Sequence, residues 1–401
     1  MITKLESFLP ALRSLCVFRD ILKDKVISAL CDFLKYEGDD AKAVDLYCGF
    51  VSALYQSGYT DFSKYVGELL RCCDNPIVRR IGTNRSVPEV MKASAEYELS
   101  IISDLASLTP KKLREGLQYG GKLPEWTVSK TDFAAEFAER SENISKHGYG
   151  IYAKYRAFYL DGKTIVPVKS PDGVKLSDLI GYQREKKLII DNTKALLLGK
   201  PAANILLTGD AGTGKSSTIK AVVNELFSEG LRIIELKKEQ LHDLPEILFE
   251  LNRNPLKFII FIDDLSFTQN DDNFSALKAM LEGTVSAKAE NVVIYATSNR
   301  RHLVKEKFSD RDGDDVHRAD TMQETASLSE RFGLHITFSR PDKATYIDIV
   351  RHLCDEYDIA YAPEKLSVAA EKFALTRSSR SARAAKQFVD LLRSGIEEDI
   401  I

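Results

Sequence analysis

The sequence predicts an α/β core on a parallel sheet, closed by a small helical lid and preceded by an all-α N-terminal domain. Three observations carry that reading. From about Leu176 onward short apolar runs alternate with helical patterns, as a parallel sheet with crossover helices requires. One of those runs, Ile205–Thr208, feeds a glycine-rich turn and then a helix. Before residue 146 the apolar residues recur at helical spacing.

Taken in order, residues 1–146 read as successive amphipathic helices. Leu5, Phe8, Leu9 and Leu12 share one helical face, as do Val26, Leu30, Phe33 and Leu34. The pattern continues through Asp45–Leu54 and Phe62–Leu70, with Gly58 and Pro76 as breaks, and no fixed-period repeat is evident. The texture changes at His147–Gly150. Tyr155–Leu160 and Thr164–Val168 are β-prone and flank Asp161-Gly162, a hairpin turn signal, so residues 147–169 are read as a linking β-hairpin. Ser170-Pro171-Asp172-Gly173 then breaks the chain. The core is placed at residues 170–340, with strands at Ile205–Thr208, Arg232–Leu236, Phe258–Ile262, Val292–Thr297 and Leu334–Phe338. Residues 341–401 return to helix, at Ala344–Tyr357, Glu364–Ala374 and Ser381–Leu392, and make the lid.

Composition narrows the class. Over 401 residues, 44% hydrophobic and 29% charged side chains read as an ordinary soluble protein of two or three domains. With 56 basic against 59 acidic residues the net charge is −3, so no global basic field points to nucleic acid. Net charge does not decide a local patch, and nucleic acid stays open as a partner. No apolar run approaches the roughly 18 residues that span a bilayer, and Lys4 and Glu6 argue against a secretory leader. The six cysteines form no C-x-x-C and no ladder with the six histidines. Free thiols of that kind suit a reducing cytoplasm, which is the compartment expected.

Residues 209–216, Gly209, Asp210, Ala211, Gly212, Thr213, Gly214, Lys215 and Ser216, match G-x-x-x-x-G-K-[ST] at every specified position. Glycines let the backbone wrap phosphate oxygens with N–H groups inward, and the following helix N-terminus adds a favourable dipole. Lys215 is in reach of the outer phosphates, and the Ser216 hydroxyl is a Mg²⁺ ligand in such loops. A chance glycine-rich turn would lack the strand before and the helix after. Phe258–Ile262 is apolar on both faces and ends in Asp263 and Asp264. Carboxylates at the carboxyl end of a central strand suit a metal shell at Asp263 and water polarisation at Asp264. A solvated acidic turn is the bland alternative, weakened by the nearby loop. Thr297-Ser298-Asn299 ends the next strand, and an Asn there offers hydrogen bonds to phosphate or water, though strand-end Asn is more often a turn residue.

Together these residues resemble the AAA+ ATPases, and more closely a bacterial family of uncharacterised AAA+ ATP-binding proteins. The resemblance is densest at Leu179-Ile180-Gly181-Tyr182, Leu206–Ser217, Phe258–Phe267, Tyr295–Leu303 and Ser327–Leu334, and covers roughly residues 150–395. It implies ATP and Mg²⁺ as ligands, with Ser217 completing the phosphate loop. It implies that Leu179, Ile180 and Gly181 pack on adenine and that Asn299 is sensor one. Arg331, in Ser-Glu-Arg-Phe-Gly, matches the arginine finger that reaches a neighbouring subunit's γ-phosphate, which implies a homo-oligomer, ring or filament. A surface ion pair is the alternative for that residue. Arg383 matches sensor two, with Arg380 one turn earlier as its rival, and Arg300 and Arg301 are further cations near the site.

Two departures qualify the match. Asp264 stands where AAA+ proteins mostly carry Glu, a shorter arm toward water. Protein-threading members carry an aromatic–apolar–Gly loop after the second strand; here Lys237–Asp243 has no aromatic and no glycine. The reading is a nucleotide-driven switch acting through the N-terminal domain on a protein or nucleic-acid client. Its rivals are an ATP-holding regulatory module with little hydrolysis, to which Asp264 and the charged insert Lys305–Glu324 lend weight, and a helicase-loader-like DNA partner.

Overall fold

The computed structural model describes residues 8–396 apart from 116, 267–272, 274–276, 279–280, 282–288, 300–329 and 378. The chain divides into two units, Met1–Lys154 with Arg253–Pro255, and Tyr155–Asn252 with Leu256–Ile401. Helices of eight residues or more are numbered below in chain order.

The first unit is helical, with α1 (Lys25–Lys35), α2 (Asp40–Gln56), α3 (Phe62–Arg71), α4 (Glu89–Ala106) and α5 (Phe133–Glu142). Four of these begin at an aspartate. Asp24, Asp39, Asp61 and Asp132 each accept a hydrogen bond from a first-turn backbone N–H, satisfying donors the helix leaves open. The core gathers on Trp126, which lies between helices; Tyr47, Phe50 and Phe62 sit 5.8, 5.1 and 6.5 Å from it, centroid to centroid. Its indole N–H donates to the Leu108 carbonyl at 2.8 Å, and Thr127 exchanges backbone bonds with Thr60 and Phe62. A non-helical strap is thereby tied into the helical core. Helical periodicity does not foresee it, because a single aromatic has no period.

Glu98 on α4 is 3% exposed. Its carboxylate accepts from the backbone N–H groups of Cys16, Val17 and Phe18 at 2.9 to 3.1 Å. Burial by itself would push this carboxyl up, but the backbone bonds outweigh it and hold the group below the ordinary glutamate range. A folded-state value below the unfolded one means stability that is present above the unfolded value and lost as pH falls through the folded one. Glu98→Gln keeps the shape and removes the charge, at an expected cost of about 2 kcal/mol. The single tryptophan of the chain is Trp126, so its fluorescence reports this unit during urea unfolding. The variant should unfold at lower urea at pH 7, and the difference should shrink as the pH drops below about 4. Coincident curves at pH 7 would contradict the assignment.

The second unit holds a seven-stranded sheet: β1 (Ala157–Asp161), β2 (Thr164–Pro167), β3 (Ile205–Gly209), β4 (Leu231–Leu236), β5 (Lys257–Ile262), β6 (Val292–Ser298) and β7 (Leu334–Phe338), in the order β2-β1-β4-β5-β6-β3-β7. Every neighbouring pair is parallel except β1–β2. β5 lies at the centre, and its Phe258–Ile262 run is buried on both faces, as its unbroken apolar sequence demands. The hairpin expected as a linker is instead the sheet's edge, with Ala157–Tyr159 pairing in parallel with Ile233–Glu235. Phe158 and Leu160 are buried while Tyr159 is 44% exposed, so β1 has one covered face, and β2 beyond it is the outermost strand. The turn is also one residue later than expected. Asp161 pairs with Thr164, leaving Gly162 and Lys163 as the loop, and Gly162 supplies the positive φ of +57° that the first loop position takes.

α6 (Gln183–Leu197), α7 (Lys215–Leu226) and α8 (Leu244–Leu251) accompany the sheet. The lid is α9 (Lys343–Glu356), α10 (Pro363–Thr376) and α11 (Ala382–Arg393), around a core of Tyr346, Val350, Ala370 and Phe388. After β4, Lys238–Asp243 forms a 3-10 helix that buries Leu241. Among the described residues no helix is long and apolar enough to cross a membrane.

Candidate nucleotide site

Parallel strands all deliver their carboxyl ends to the same end of the sheet, and the residues that follow converge there. Registers Thr208↔Ser298 and Ile262↔Ala296 align the ends of β3, β5 and β6. The turn after β3, Asp263 and Asp264 after β5, and Asn299 after β6 therefore meet. A cavity of about 780 Å³ opens over them.

The turn is built on close approaches. A Cβ at Gly209 would lie 2.1 Å from the Phe338 carbonyl oxygen of β7, so glycine alone lets the two strands pair there. Gly212 has φ +79°, and a Cβ on it would come 2.9 Å from the Arg383 Cβ of the lid. The Arg383 backbone N–H donates to the Gly212 carbonyl at 3.3 Å. Lid and loop thus touch directly, backbone against backbone.

Lys215 is 5% exposed, and its Nζ donates to the carbonyls of Gly209 and Asp210 at 2.8 Å each and to Asn299 Oδ1 at 3.0 Å. Burial pushes this ammonium below the ordinary lysine range, against the pull of Asp263, Asp210 and Asp264. Asn299 Nδ2 in turn donates to Asp264 Oδ1 at 2.8 Å. A second relay runs beside it: the Ser216 hydroxyl donates to Asp263 Oδ1 at 2.7 Å, and the Thr297 hydroxyl donates to the same oxygen at 2.5 Å. Thr297 Oγ1 also accepts from the Asp264 backbone N–H at 3.0 Å. One hydroxyl thereby holds both acids. Asp264 has φ +52°, a left-handed conformation that Asp and Asn tolerate better than most residues. Sequence reading named Thr297 at the strand end but gave it no role; the signal available was a hydroxyl closing an otherwise apolar run, and the structure buries it to 2% exposure.

Mg²⁺ prefers hard oxygen ligands, typically one or two carboxylates completed by phosphate oxygens and water. Ser216 Oγ and Asp263 Oδ1, side by side at the loop, are oxygens of that kind and fit it.

Leu179 and Ile180 line the same cavity, as do Ile349, Leu353 and Tyr357 of the lid, and give it apolar walls. Gly181 follows at φ +80°, with the space a Cβ would take lying 3.2 Å from Thr345 Cγ2. Ala211, Thr213, Gly214 and Ser217 also line the cavity, and Asp210 pairs with Arg340 at 3.2 Å. Of the two lid arginines, Arg383 lines the cavity, whereas Arg380 is engaged with Glu371, Nε to Oε1 at 3.0 Å. Arg331 stands in the turn before β7, half-buried and not among the cavity's lining residues. Arg300, Arg301 and the insert Lys305–Glu324 lie outside the described residues.

A family model described as "Protein of unknown function (DUF815)" matches residues 153–396, more than half of the chain. The chain belongs to this family. The matched stretch begins two residues before the second unit and runs past α11, so the DUF815 region contains the sheet, the lid and every residue of the site. Among solved structures this DUF815 protein is similar to the Thermotoga maritima RuvB Holliday junction branch migration motor at 15% identity, over 55% of this chain and 64% of that one, with a TM-score of 0.39. A variant structure of RuvB matches at 15% identity over the same shares, with a TM-score of 0.38. The match thus spans less than two-thirds of those chains, and at such TM-scores it carries no argument about mechanism. No curated protein matches the chain. The second unit of this DUF815 protein is an α/β core on a largely parallel seven-stranded sheet, with a phosphate-loop motif after β3 and a small helical lid, and a helical region precedes it.

Proposed function

We propose that this DUF815 protein binds ATP with Mg²⁺ in the cavity between the carboxyl ends of the strands and the lid, hydrolyses it, and works as a nucleotide-driven switch on a client. The observation that carries the reading is the Lys215–Asn299–Asp264 relay beside the Ser216–Asp263 pair, both beneath a lid bonded to the loop through Gly212. Lys215 and the loop N–H groups take the phosphates, and Asn299 with Asp264 orient the attacking water. Mg²⁺, held through Ser216 and Asp263, supplies charge neutralisation across the outer phosphates. Leu179, Ile180 and Gly181 receive the adenine. Arg383 follows the phosphates from the lid, so occupancy changes the angle between lid and core. Arg331 completes the site of a neighbouring copy, which makes the working form a homo-oligomer. The first unit engages the client, protein or nucleic acid. The six free thiols suit a reducing compartment such as the cytoplasm.

One observation favours a second reading, ATP held with little turnover. Asp264 is shorter than Glu, and its Oδ1 is already engaged by Asn299. Two measurements test the pair. Lys215→Ala should weaken ATP binding at least about 100-fold, because a buried ammonium facing polyphosphate is removed. Steady-state phosphate release by the unaltered chain then separates the switch from the ATP-holding module. ATP affinity equal in Lys215→Ala and wild type would refute both.

A further inference from the structure

Lys186 is a cation that the phosphate chemistry leaves unused. It lies in the first turn of α6, is 5% exposed, and lines the cavity. Its Nζ donates to the Leu179 carbonyl, which tethers the ammonium beside Leu179 and Ile180 of the cavity lining. An ammonium carries three donors, and this bond engages one of them. Burial pushes the group below the ordinary lysine range, and no acid among the described residues offsets it. The positive end of the α6 dipole adds to the cost of a charge there. For stability alone a buried apolar side chain would serve better at this position. A side chain kept at such a cost, with open donors in a cavity, is set up to meet an acceptor that arrives with a ligand.

We infer that Lys186 reads the nucleobase, donating a hydrogen bond to a ring nitrogen of a purine seated between Leu179–Ile180 and the lid. The inference rests on the proposed ATP site and adds the group that recognises the base. A ring nitrogen is the suitable partner because an ammonium only donates, and an adenine ring offers three unprotonated nitrogens as acceptors. Phosphate is the poorer candidate, since Lys215 and Arg383 line the cavity at the loop whereas Lys186 is tethered at Leu179. A site that bonds a polar group of its ligand rejects analogues lacking it, because its own buried donor is then stranded.

The test is calorimetric titration of ATP, its 1-deaza, 3-deaza and 7-deaza analogues, and inorganic triphosphate into wild type and Lys186→Met. Wild type should lose at least about tenfold for one of the three analogues, equivalent to ~1.4 kcal/mol. Lys186→Met should lose a similar factor for ATP, show no further loss for that analogue, and bind triphosphate as wild type does. Without nucleotide its melting temperature should equal or exceed that of wild type, since a buried charge has been removed. Equal weakening of every ligand, unchanged ATP affinity, or a lower melting temperature without nucleotide would overturn the inference and leave Lys186 as a prop for Leu179. Failure of wild type itself to bind ATP is a different outcome, and it would overturn the ATP site along with this inference.

Discussion

Asp264→Asn is expected to bind ATP as wild type does and to turn it over at least about 100-fold more slowly. The carboxylate accepts from Asn299 and, in the proposed mechanism, acts only on water, so its charge matters to the reaction and not to phosphate affinity. Asn is the informative replacement on backbone grounds. Asp264 sits at φ +52°, and Asn occupies that region as readily as Asp, so the turn and its N–H bond to Thr297 should survive. A longer Glu tolerates the left-handed region less well, and Asp264→Glu is therefore not expected to raise the rate despite its reach. Single-turnover phosphate release with nucleotide affinity measured in parallel gives both quantities. Normal hydrolysis by the Asn variant would remove Asp264 from the water-orienting role.

Arg331→Ala should lose about 1,000-fold in turnover with little change in ATP affinity, the size of effect an arginine finger supplies. Arg331 lies before β7 and is not among the residues lining the cavity of its own chain, so the finger reading has it act on the site of a second copy. Two consequences separate this from a surface ion pair. Turnover per chain should rise with protein concentration. A mixture of Arg331→Ala and Asp264→Asn chains, each inactive alone, should also recover part of the activity, because some mixed interfaces pair an intact finger with an intact site. Concentration-independent turnover without rescue would return Arg331 to an ordinary surface role, where exposed ion pairs contribute little.

The mixed-chain test depends on assembly, whereas the Asp264 test does not. Full activity in Arg331→Ala alongside loss in Asp264→Asn would therefore indicate a self-contained site. Sequestered ATP with no turnover in wild type would favour the ATP-holding module.

Much of the core was legible because its signals are local. Phe258–Ile262 is apolar at every position, which only a strand covered on both faces tolerates, and β5 is central. The expected strands at Arg232–Leu236, Val292–Thr297 and Leu334–Phe338 match β4, β6 and β7 to within a residue at each end. The lid helices likewise fall within two residues of their expected bounds. The hairpin at Ala157–Pro167 was legible as two strands but not as a sheet edge. Its parallel partner β4 lies some 70 residues away, and pairing at that distance leaves no mark in either segment. The roles of Trp126, Glu98 and Thr297 escaped for a related reason: the partners of each come from other elements.

By itself the sequence determined the element types, their order and the phosphate loop, because periodicity, glycine placement and apolar runs act over a few neighbouring residues. It also named both acids and Asn299, but as separate strand ends. Only the tertiary structure decided that these ends meet, since that depends on the order of β5, β6 and β3 in the sheet and on their register. The same holds for the lid. Sequence matched Arg383 with Arg380 one turn earlier as its rival, and the fold separates them by what surrounds each: Glu371 of α10 engages Arg380, while Gly212 of the loop accepts from the backbone of Arg383, which lines the cavity. Which of two like residues faces a site is set by the packing of distant segments, and that information is not local.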